Sequence, residues 1–368
     1  MSHRTGNRPF RALQIEVTSR CTRFCKICPR SDLSNAWRYG DFSKELWKSI
    51  APDLQLAEHI HLQGWGEPLL HPMLPVWAAE AFEAGCSVGI TTNGDLLSDA
   101  MPWLLEGNIN LITLSVAGAH KNHILMRDGS QFSQLMDSAN ELIQRSCERG
   151  LRLKVQLSYL LTKSNANELP EAVRMAADAG LDEVFVIHLD CRTSVFHVDH
   201  STCNDMAIQK NVDPYLKEVK KIARRKRIYF RGPASRQDEV LACALNPMYF
   251  SFITWDGKVG PCTYLLLPIS GPIPRYTESG VRYVKPVSYG SIKEKPLSRL
   301  LSSEVRKRFI HPFQKRLEAE KKFLKQIDME ASIRALRRIE LANEERENTL
   351  VNTPLPDACE GCLKAQGW

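Results

Sequence analysis

Short apolar runs and longer amphipathic segments alternate along residues 11–190. The runs have the length of buried strands, and the segments between them carry apolar residues at helical spacing. The six predicted strands are residues 12–18, 59–63, 87–92, 110–116, 153–160 and 183–188. The helices predicted between them are residues 44–54, 72–84, 99–106, 131–149 and 168–179.

The regular alternation predicts an α/β fold with a parallel sheet, since each strand–helix unit takes about 30 residues. Six such units favour a partial (β/α)6 TIM-like barrel, and an open doubly wound sheet is the alternative. In a barrel, the reactive groups lie at the carboxyl ends of the strands. The residues that follow each predicted strand are therefore the candidates for the site.

The pattern changes after the sixth strand. We predict a loop over the strand ends at residues 191–213, a basic helix at 214–227 and an exposed loop at 268–286. Two short strands are predicted within residues 248–264, around a turn at residues 255–257. Residues 296–348 are charged and predicted to be helical.

Composition excludes several classes of protein. Of the 368 residues, 43% are hydrophobic and 25% are charged, which is typical of a globular protein and not of a disordered or multi-span membrane protein. The first ten residues are polar and basic, so we expect no secretory signal and a cytoplasmic location. The net charge of +7 is mild and dispersed, and we expect neither nucleic acid nor a membrane as a partner.

Eleven cysteines are present, and in such a chain they favour metal binding or catalysis over disulfides. Cys21, Cys25 and Cys28 follow the first predicted strand in a C-x₃-C-x₂-C pattern. Three thiolates at this spacing can ligate three irons of a 4Fe–4S cube and leave the fourth iron open. A zinc site that lacks its fourth ligand is the alternative.

A second set of cysteines lies in the C-terminal third of the chain. It comprises Cys243, Cys262, and the pair Cys359 and Cys362 in a C-x₂-C pattern. Four thiolates from two distant pairs can close a second cluster, although the same spacing can hold zinc.

Four cysteines remain outside these two sets. Cys86 and Cys147 fall on a strand and a helix and are predicted to be buried packing residues. Cys191 ends the sixth predicted strand, and Cys203 lies in the loop after it. A thiol above a barrel can donate a hydrogen atom or ligate a substrate, so Cys191 is the candidate catalytic residue. The alternative is a partly buried, inert thiol.

The segment that runs from Glu16 through the three cysteines to Pro29 resembles the signature loop of the radical S-adenosylmethionine (SAM) superfamily. The resemblance implies that the open iron chelates the amino and carboxylate groups of SAM. It also implies that reduction of the cluster cleaves SAM to methionine and a 5′-deoxyadenosyl radical. Ile27 stands where the family usually has an aromatic residue that packs against the adenine.

Further segments resemble the SAM-binding motifs of that family. Residues 63–68 resemble its Gly-Gly-Glu segment, which implies that Gly66 and Glu67 hold the SAM amino group. Trp65 replaces the first glycine, so we expect its side chain to point away from SAM. An ordinary turn at the strand end is the alternative reading of this segment.

Three single residues extend the resemblance. Asn93 resembles the polar residue near the SAM ribose or sulfonium, although Asn-Gly is also a common turn. Ser115 and Arg127 match the ribose-binding serine and the carboxylate-binding arginine of the family. The guanidinium group suits a carboxylate because its donors form a planar fork.

The second cysteine set resembles the auxiliary-cluster region of the SPASM and twitch subfamilies. A full SPASM domain has further cysteines after its C-x₂-C and binds two extra clusters, whereas none follows Cys362 here. The resemblance therefore implies the twitch type, with one auxiliary 4Fe–4S cluster on four cysteines. We expect a core domain at residues 8–235 and an auxiliary-cluster domain with a long helical insertion at 236–368.

The resemblance implies an oxidoreductase that removes hydrogen from a C–H bond, with a reducing partner such as flavodoxin or ferredoxin. Twitch enzymes include an alcohol dehydrogenase that acts on an aminocyclitol, so we expect oxidation or rearrangement of a small polar metabolite. A peptide-modifying maturase is the second reading, although about ten residues precede the first strand and leave no room there for a leader-binding module. A non-catalytic iron–sulfur sensor or electron carrier is the third.

Overall fold

The structure is a computed structural model that describes residues 8–203, 206–233, 240–327 and 333–368. The strands in these residues are β1 (Phe10–Ile15), β2 (Ala57–Leu62), β3 (Ser87–Thr92), β4 (Leu111–Val116), β5 (Lys154–Leu161), β6 (Glu183–His188), β7 (Tyr229–Arg231), β8 (Phe250–Ile253), β9 (Lys258–Gly260), β10 (Ile273–Thr277), β11 (Gly280–Val284) and β12 (Gly290–Ser291).

The α-helices of the described residues connect and cover these strands. They are α1 (Pro29–Asp32), α2 (Lys44–Ile50), α3 (Leu74–Glu83), α4 (Leu97–Leu104), α5 (Lys121–Met126), α6 (Phe132–Glu148), α7 (Leu169–Asp178), α8 (Val195–His200), α9 (Met206–Lys226), α10 (Leu297–Leu301), α11 (Glu304–Ile327) and α12 (Ile333–Asn352).

A single large sheet organises the fold. Its strand order is β12-β9-β8-β1-β2-β3-β4-β5-β6-β7. Strands β1 to β7 are parallel to their neighbours, which confirms the predicted α/β fold. Because β12 and β7 end the sheet, the barrel is partial and does not close within the described residues.

The two faces of the sheet differ in chemistry. Ile112, Leu114 and Val116 of β4 lie fully buried in the core between the sheet and the helices. Side chains alternate along a strand, so the other face carries the residues between them. On that inner face Gln156 Nε2 donates to Thr113 Oγ1 at 2.8 Å. The inner face is therefore lined with polar groups rather than filled by an apolar core.

The C-terminal part of the chain extends the same sheet. Strand β8 pairs in parallel with β1, and β9 pairs with β8 in the antiparallel sense around the predicted turn. Gly257 in this turn has a φ of +88°, a conformation that glycine adopts without steric cost. The predicted domain boundary at 235/236 lies outside the described residues.

Two loop predictions differ from the structure. Residues 268–286 contain the antiparallel hairpin of β10 and β11, which tolerates Pro274 because a two-stranded sheet consists of edge strands. The predicted loop at 191–213 contains α8 and the start of α9. The Ser194 hydroxyl caps α8 by accepting a hydrogen bond from the His197 backbone, a signal that sequence reasoning missed.

The charged C-terminal segment is helical as predicted. Helices α11 and α12 pack against each other. Lys322 lies 2.7 Å from Glu345, and Arg346 lies 3.1 Å from Glu320, so ion pairs join the two helices. Among the described residues, no helix combines the length and apolar character that crossing a membrane requires.

Candidate active site

The first three cysteines lie in the loop of residues 18–28, here called the thiol loop, at the carboxyl end of β1. Burial, with smaller contributions from the nearby thiols of Cys25 and Cys21, raises the pKa of Cys28 to about 12. Burial also raises the pKa of Cys21. The three thiols therefore share one poorly solvated environment, and metal binding there must displace their protons.

One side of the thiol loop is fixed by the residues that follow β3. Asn93 is buried, and its Nδ2 donates to Thr22 Oγ1 at 2.9 Å and approaches Cys21 Sγ at 3.6 Å. Arg23 Nε donates to Asp95 Oδ1 at 2.8 Å. Asn93 therefore contacts the thiol loop directly, at the end of its strand.

The other side of the thiol loop docks on the end of α5 and on α8. The backbone N–H of Lys26 donates to the Met126 carbonyl at 3.1 Å, and that of Phe24 donates to Asp128 Oδ2 at 2.9 Å. His197 Nε2 lies 3.1 Å from the Lys26 carbonyl. Three separate elements thus hold the cysteines at the carboxyl edge of the sheet.

Glu67 is fully enclosed by its own chain. Its carboxylate accepts hydrogen bonds from Thr92 Oγ1 at 2.7 Å, the Asn93 backbone at 2.7 Å and the Leu69 backbone at 3.1 Å. Its backbone N–H donates to the Arg20 carbonyl at 2.7 Å. Burial raises the pKa of Glu67 to about 7. The carboxylate therefore joins the ends of β2 and β3, and its neighbour Gly66 packs on the thiol loop.

Gly66 leaves no room for a side chain, and replacing it by Ala is expected to displace the thiol loop. A Cβ there would lie 2.3 Å from the Arg20 carbonyl oxygen and 2.4 Å from that of Thr18. Overpacking of this kind typically costs about 1–3 kcal/mol. We expect a lower melting temperature and less bound iron, measured by calorimetry and iron analysis.

Gly232→Ala is the matched control for this variant, since a Cβ at Gly232 would meet Phe230 at an ordinary 3.5 Å. It should match the wild type in both measurements. Full iron content and an unchanged melting temperature in Gly66→Ala would contradict the packing role.

The predicted SAM contacts Ser115 and Arg127 lie near the end of β4 and at the end of the helix α5 that follows it. Ser115 on β4 pairs in register with Ser158 on β5, on the inner face of the sheet. Arg127 follows α5, and its Nε is buried without a hydrogen-bond partner in the described residues. Buried polar atoms are normally paired. An anionic ligand such as the SAM carboxylate would supply the missing acceptor, so Arg127 fits its predicted role.

Trp65 points towards the C-terminal part of the chain. Its indole Nε1 donates to the Thr263 carbonyl at 3.3 Å, and its ring meets that of Tyr264 edge-on with centroids 6.1 Å apart. The buried Glu16 accepts hydrogen bonds from the backbones of Trp65 and Trp255 at 3.0 and 3.2 Å. The segment after β2 is thus joined to the turn after β8 and to the neighbour of Cys262.

We define Cys243, Cys262, Cys359 and Cys362 as the second thiol set, and Cys262 and Cys359 lie within electrostatic range of other thiols of this set. Burial raises the pKa of Cys262 well above its usual value, and the thiols of Cys362, Cys359 and Cys243 raise it further. Burial raises the pKa of Cys359 to about 12, with smaller effects of Cys362 and Cys243. Each pair thus contributes to one group of four thiols.

Strand β10 holds the C-x₂-C loop of the second thiol set. Arg275 Nη1 donates to the carbonyls of Ala358 at 3.0 Å and Glu360 at 2.5 Å. Gly361 between the two cysteines has a φ of +70°, which favours glycine. The hairpin that replaces the predicted loop at 268–286 therefore positions this half of the set.

Within the described ranges, no three His, Cys, Asp or Glu side chains are arranged to hold a single metal ion. An iron–sulfur cube instead spreads its thiolate ligands over separate irons.

Cys191 lies within electrostatic range of one cysteine from each thiol set. Burial raises the pKa of Cys191 well above its usual value. The charges of Asp190, Cys28 and Cys362 make smaller contributions in the same direction. Cys28 belongs to the thiol loop and Cys362 to the second set. The residues that follow β6 therefore face both sets, at the carboxyl end of the sheet.

Three charged or polar residues beside Cys191 were not selected from the sequence. Tyr264 Oη donates to Asp190 Oδ1 at 2.9 Å, and Lys364 Nζ lies 2.7 Å from Asp190 Oδ2. Asp190 had a usable signal, because an acidic residue at the carboxyl end of a barrel strand is a candidate site residue. Tyr264 and Lys364 each lie two residues after a cysteine of the second set.

The remaining cysteines lie apart from these groups. Cys203 is buried in a small cluster with Leu363 and Trp368, and Cys86 is buried at the start of β3. The prediction that Cys147 is buried is wrong, since Cys147 is exposed on α6.

Family models match the part of the chain that holds the thiol loop and the part that holds Cys243 and Cys262. Residues 15–186 match the model of the radical SAM superfamily, and residues 243–326 match that of the iron–sulfur cluster-binding SPASM domain. The chain belongs to the radical SAM superfamily. Its members bind SAM at a 4Fe–4S cluster, and SPASM domains add auxiliary clusters.

Curated relatives of this radical SAM chain cover most of its length. The tungsten-containing aldehyde ferredoxin oxidoreductase cofactor-modifying protein of Pyrococcus furiosus is 26% identical over 300 residues, which are 79% of this chain and 81% of the relative. A probable GTP 3′,8-cyclase of Metallosphaera sedula is 24% identical over 275 residues, which are 70% of this chain and 82% of the relative.

Solved structures share the fold at low sequence identity. Native anSMEcpe with bound AdoMet has a TM-score of 0.58 at 16% identity and covers 82% of this chain and 83% of its own. Streptococcus suis SuiB bound to the precursor peptide SuiA has a TM-score of 0.58 at 15% identity, covering 81% of this chain and 65% of its own.

The chain's own residues fit the cofactors of the superfamily. Three thiols at the end of β1 leave one iron of a cube open, and the unpaired Nε of Arg127 suits a carboxylate. Four thiols in the second set can close another cube.

Proposed function

We propose that this radical SAM enzyme is an oxidoreductase that removes two hydrogens from a small polar metabolite such as an aminocyclitol. The observation that carries the proposal is the position of Cys191. Its thiol lies within electrostatic range of Cys28 in the thiol loop and Cys362 in the second set. A substrate bound over the end of β6 would therefore face both sets of cysteines.

The thiol loop and the strand ends hold the cofactors in this proposal. Cys21, Cys25 and Cys28 ligate three irons, while the backbone at Gly66 accommodates the SAM amino group. The Arg127 guanidinium binds the carboxylate. When bound, the cluster and SAM supply a 5′-deoxyadenosyl radical that removes a hydrogen atom from carbon.

Asn93 and Ser115 complete the proposed SAM site. Asn93 already orients the thiol loop through Thr22, and its position after β3 places it beside Cys21. Ser115 presents its hydroxyl from the inner face of β4, where a ribose hydroxyl can bond to it.

The second thiol set provides the site of the electron acceptor that the oxidation needs. Its four cysteines would hold a cluster that can accept one electron from the substrate after hydrogen abstraction, and the Asp190 carboxylate beside the set would accept the accompanying proton. Four thiolates saturate a cube, so the set offers no open iron to a substrate and suits electron acceptance. The electron that starts each turnover comes from an external reductant such as flavodoxin or ferredoxin.

A redox-neutral reaction is the second candidate, and the same Cys191 thiol favours it. A thiol that faces the substrate can return a hydrogen atom to the other side of the reacting carbon, which changes stereochemistry without oxidation. An electron from the external reductant and a proton from solvent then restore the thiol. A peptide substrate is the alternative class, since the fold is shared with SuiB, whose structure holds a precursor peptide.

Substrate panels separate these alternatives. The reconstituted holoenzyme is incubated anaerobically with dithionite and SAM, together with aminocyclitols or short peptides. We expect an aminocyclitol to increase 5′-deoxyadenosine formation and to yield a product that lacks two hydrogens, detected by mass spectrometry. A product of unchanged mass would reject the oxidation, and a response to peptides alone would reject the metabolite class.

Replacing Cys191 by Ala is expected to lower product formation while leaving SAM cleavage without substrate unchanged. The reason is that Cys191 faces the substrate and ligates no iron. Cys203→Ala is the control, because that thiol follows the same strand but is buried with Leu363 and Trp368. Equal product formation in the two variants would show that Cys191 has no role in turnover.

A further inference from the structure

Among the described residues, no side chain forms a hydrogen bond or an ion pair with the buried guanidinium of Arg30. Arg30 lies in α1, two residues after Cys28, and is 1% exposed. Its guanidinium stacks over the Phe24 ring, 4.3 Å from the centroid. Its Nε has no hydrogen-bond partner, and in the described part of the chain no carboxylate forms an ion pair with it.

Other buried arginines of the same chain bind acceptors through their terminal nitrogens, although their Nε atoms have no partner among the described residues either. Arg192 has a side chain that is 2% exposed and lies 2.7 Å from Glu278. Arg306 donates to the carbonyls of Leu301 at 3.1 Å and Met248 at 2.6 Å. An arginine stays protonated in proteins, so a buried one without such partners is costly. An anion beside Arg30 would therefore stabilise its buried charge.

The anionic groups available to Arg30 are the thiolates of the thiol loop. Phe24, on which the Arg30 guanidinium stacks, lies between Cys21 and Cys25, and α1 begins directly after Cys28, so Arg30 packs against the thiol loop. The Arg30 backbone N–H also donates to the Cys28 thiol. When these cysteines lose their protons to bind iron, the negative charge that Arg30 lacks appears beside it.

We propose that Arg30 is the counter-charge of the SAM-binding cluster, and that its buried guanidinium raises the reduction potential of that cluster. The proposal rests on the proposed assignment of Cys21, Cys25 and Cys28 as its ligands. One-electron reduction by dithionite or a flavodoxin adds a negative charge to the site and breaks no bond. A fixed positive charge in a poorly solvated site stabilises the more negative form. Arg30 thus acts on the reduction potential of the cluster and does not contact the substrate.

Redox titration of the reconstituted full-length chain tests the proposal. The wild type, Arg30→Lys and Arg30→Met are titrated with dithionite, and the cluster signal that changes on addition of SAM is followed by EPR spectroscopy. We expect Arg30→Met to lower its midpoint potential by about 59 mV or more, which is a tenfold change in a one-electron equilibrium. Arg30→Lys should stay close to the wild type.

The second cluster in each sample is the internal control, and its potential should not move. Arg30→Met protein that loses the SAM-responsive cluster, while Arg30→Lys keeps it, also supports the counter-charge. Loss of that cluster from both variants would instead show that the packing of the Arg30 side chain, and not its charge, is required. This result would overturn the proposal.

The melting temperature of the iron-free protein adds a readout that does not depend on the cluster. Without iron, the Arg30 charge is uncompensated, so Arg30→Met should melt at or above the wild-type temperature. A lower temperature in Arg30→Met, together with an unchanged midpoint potential, would overturn the proposal. If wild-type protein binds no SAM-responsive cluster, it is the assignment of the three cysteines that fails.

Discussion

Replacing Cys21, Cys25 and Cys28 together by Ala is expected to abolish the reductive cleavage of SAM. These thiolates present the open iron, and nothing else in the proposed site binds the amino and carboxylate groups of SAM to a metal. The measurement is 5′-deoxyadenosine formed under dithionite, by chromatography. We expect it to fall to the level of a reaction without protein, while about four irons per chain remain in the second set.

Cys147→Ala is the control for this triple variant, because Cys147 is exposed on α6 and belongs to neither thiol set. It should cleave SAM at the wild-type rate. Continued formation of 5′-deoxyadenosine by the triple variant would overturn the assignment of the thiol loop.

Replacing Cys359 and Cys362 by Ala is expected to separate hydrogen abstraction from oxidation. The variant keeps the thiol loop and should still cleave SAM, but it loses about four irons and its acceptor for the substrate electron. The ratio of oxidised product to 5′-deoxyadenosine should then fall by at least about tenfold, which corresponds to about 1.4 kcal/mol.

Arg275 offers a milder variant of the same experiment. Its side chain holds the carbonyls that flank Cys359 without ligating iron, so Arg275→Lys should keep the iron and most of the product ratio. Formation of a redox-neutral product at the wild-type rate in Cys359→Ala/Cys362→Ala would reject electron acceptance. The second set would then have a structural role alone.

The sheet was predictable because apolar strands and amphipathic helices alternate regularly along the sequence. Strands β3 and β6 have the predicted ends, and the other four core strands differ by one to three residues at their ends. Each of the six strands is a short apolar run, and the helices between them have apolar residues at helical spacing. The local sequence therefore identifies each strand. The hairpin of β10 and β11 was missed because its prolines and glycines are equally typical of loops.

The cysteines were predictable from the spacing of residues close in sequence, whereas their surroundings were not. The C-x₃-C-x₂-C loop is local, and its position after β1 follows from the strand. The convergence of Cys243 and Cys262 with Cys359 and Cys362 depends on tertiary packing, through Arg275 on a hairpin that the sequence did not indicate. Spacing alone therefore left zinc open.

Glu67 shows what a motif cannot reveal about the roles of its members. Its carboxylate was expected to hold the SAM amino group, and in the structure it accepts three hydrogen bonds from its own chain. Two of the donors belong to Thr92 and Asn93, whose approach depends on the register of β2 and β3. Arg30 went unnoticed for a related reason, since burial without a partner is a property of the folded chain.

Metal analysis tests the central claim that one chain holds two iron–sulfur clusters. The wild-type protein is reconstituted anaerobically, freed of unbound metal, and analysed for iron, sulfide and zinc per chain. Three thiols in one set and four in the other predict about eight irons, about eight sulfides and no zinc. About four irons with one zinc would contradict the second cluster and, with it, the proposed electron acceptor.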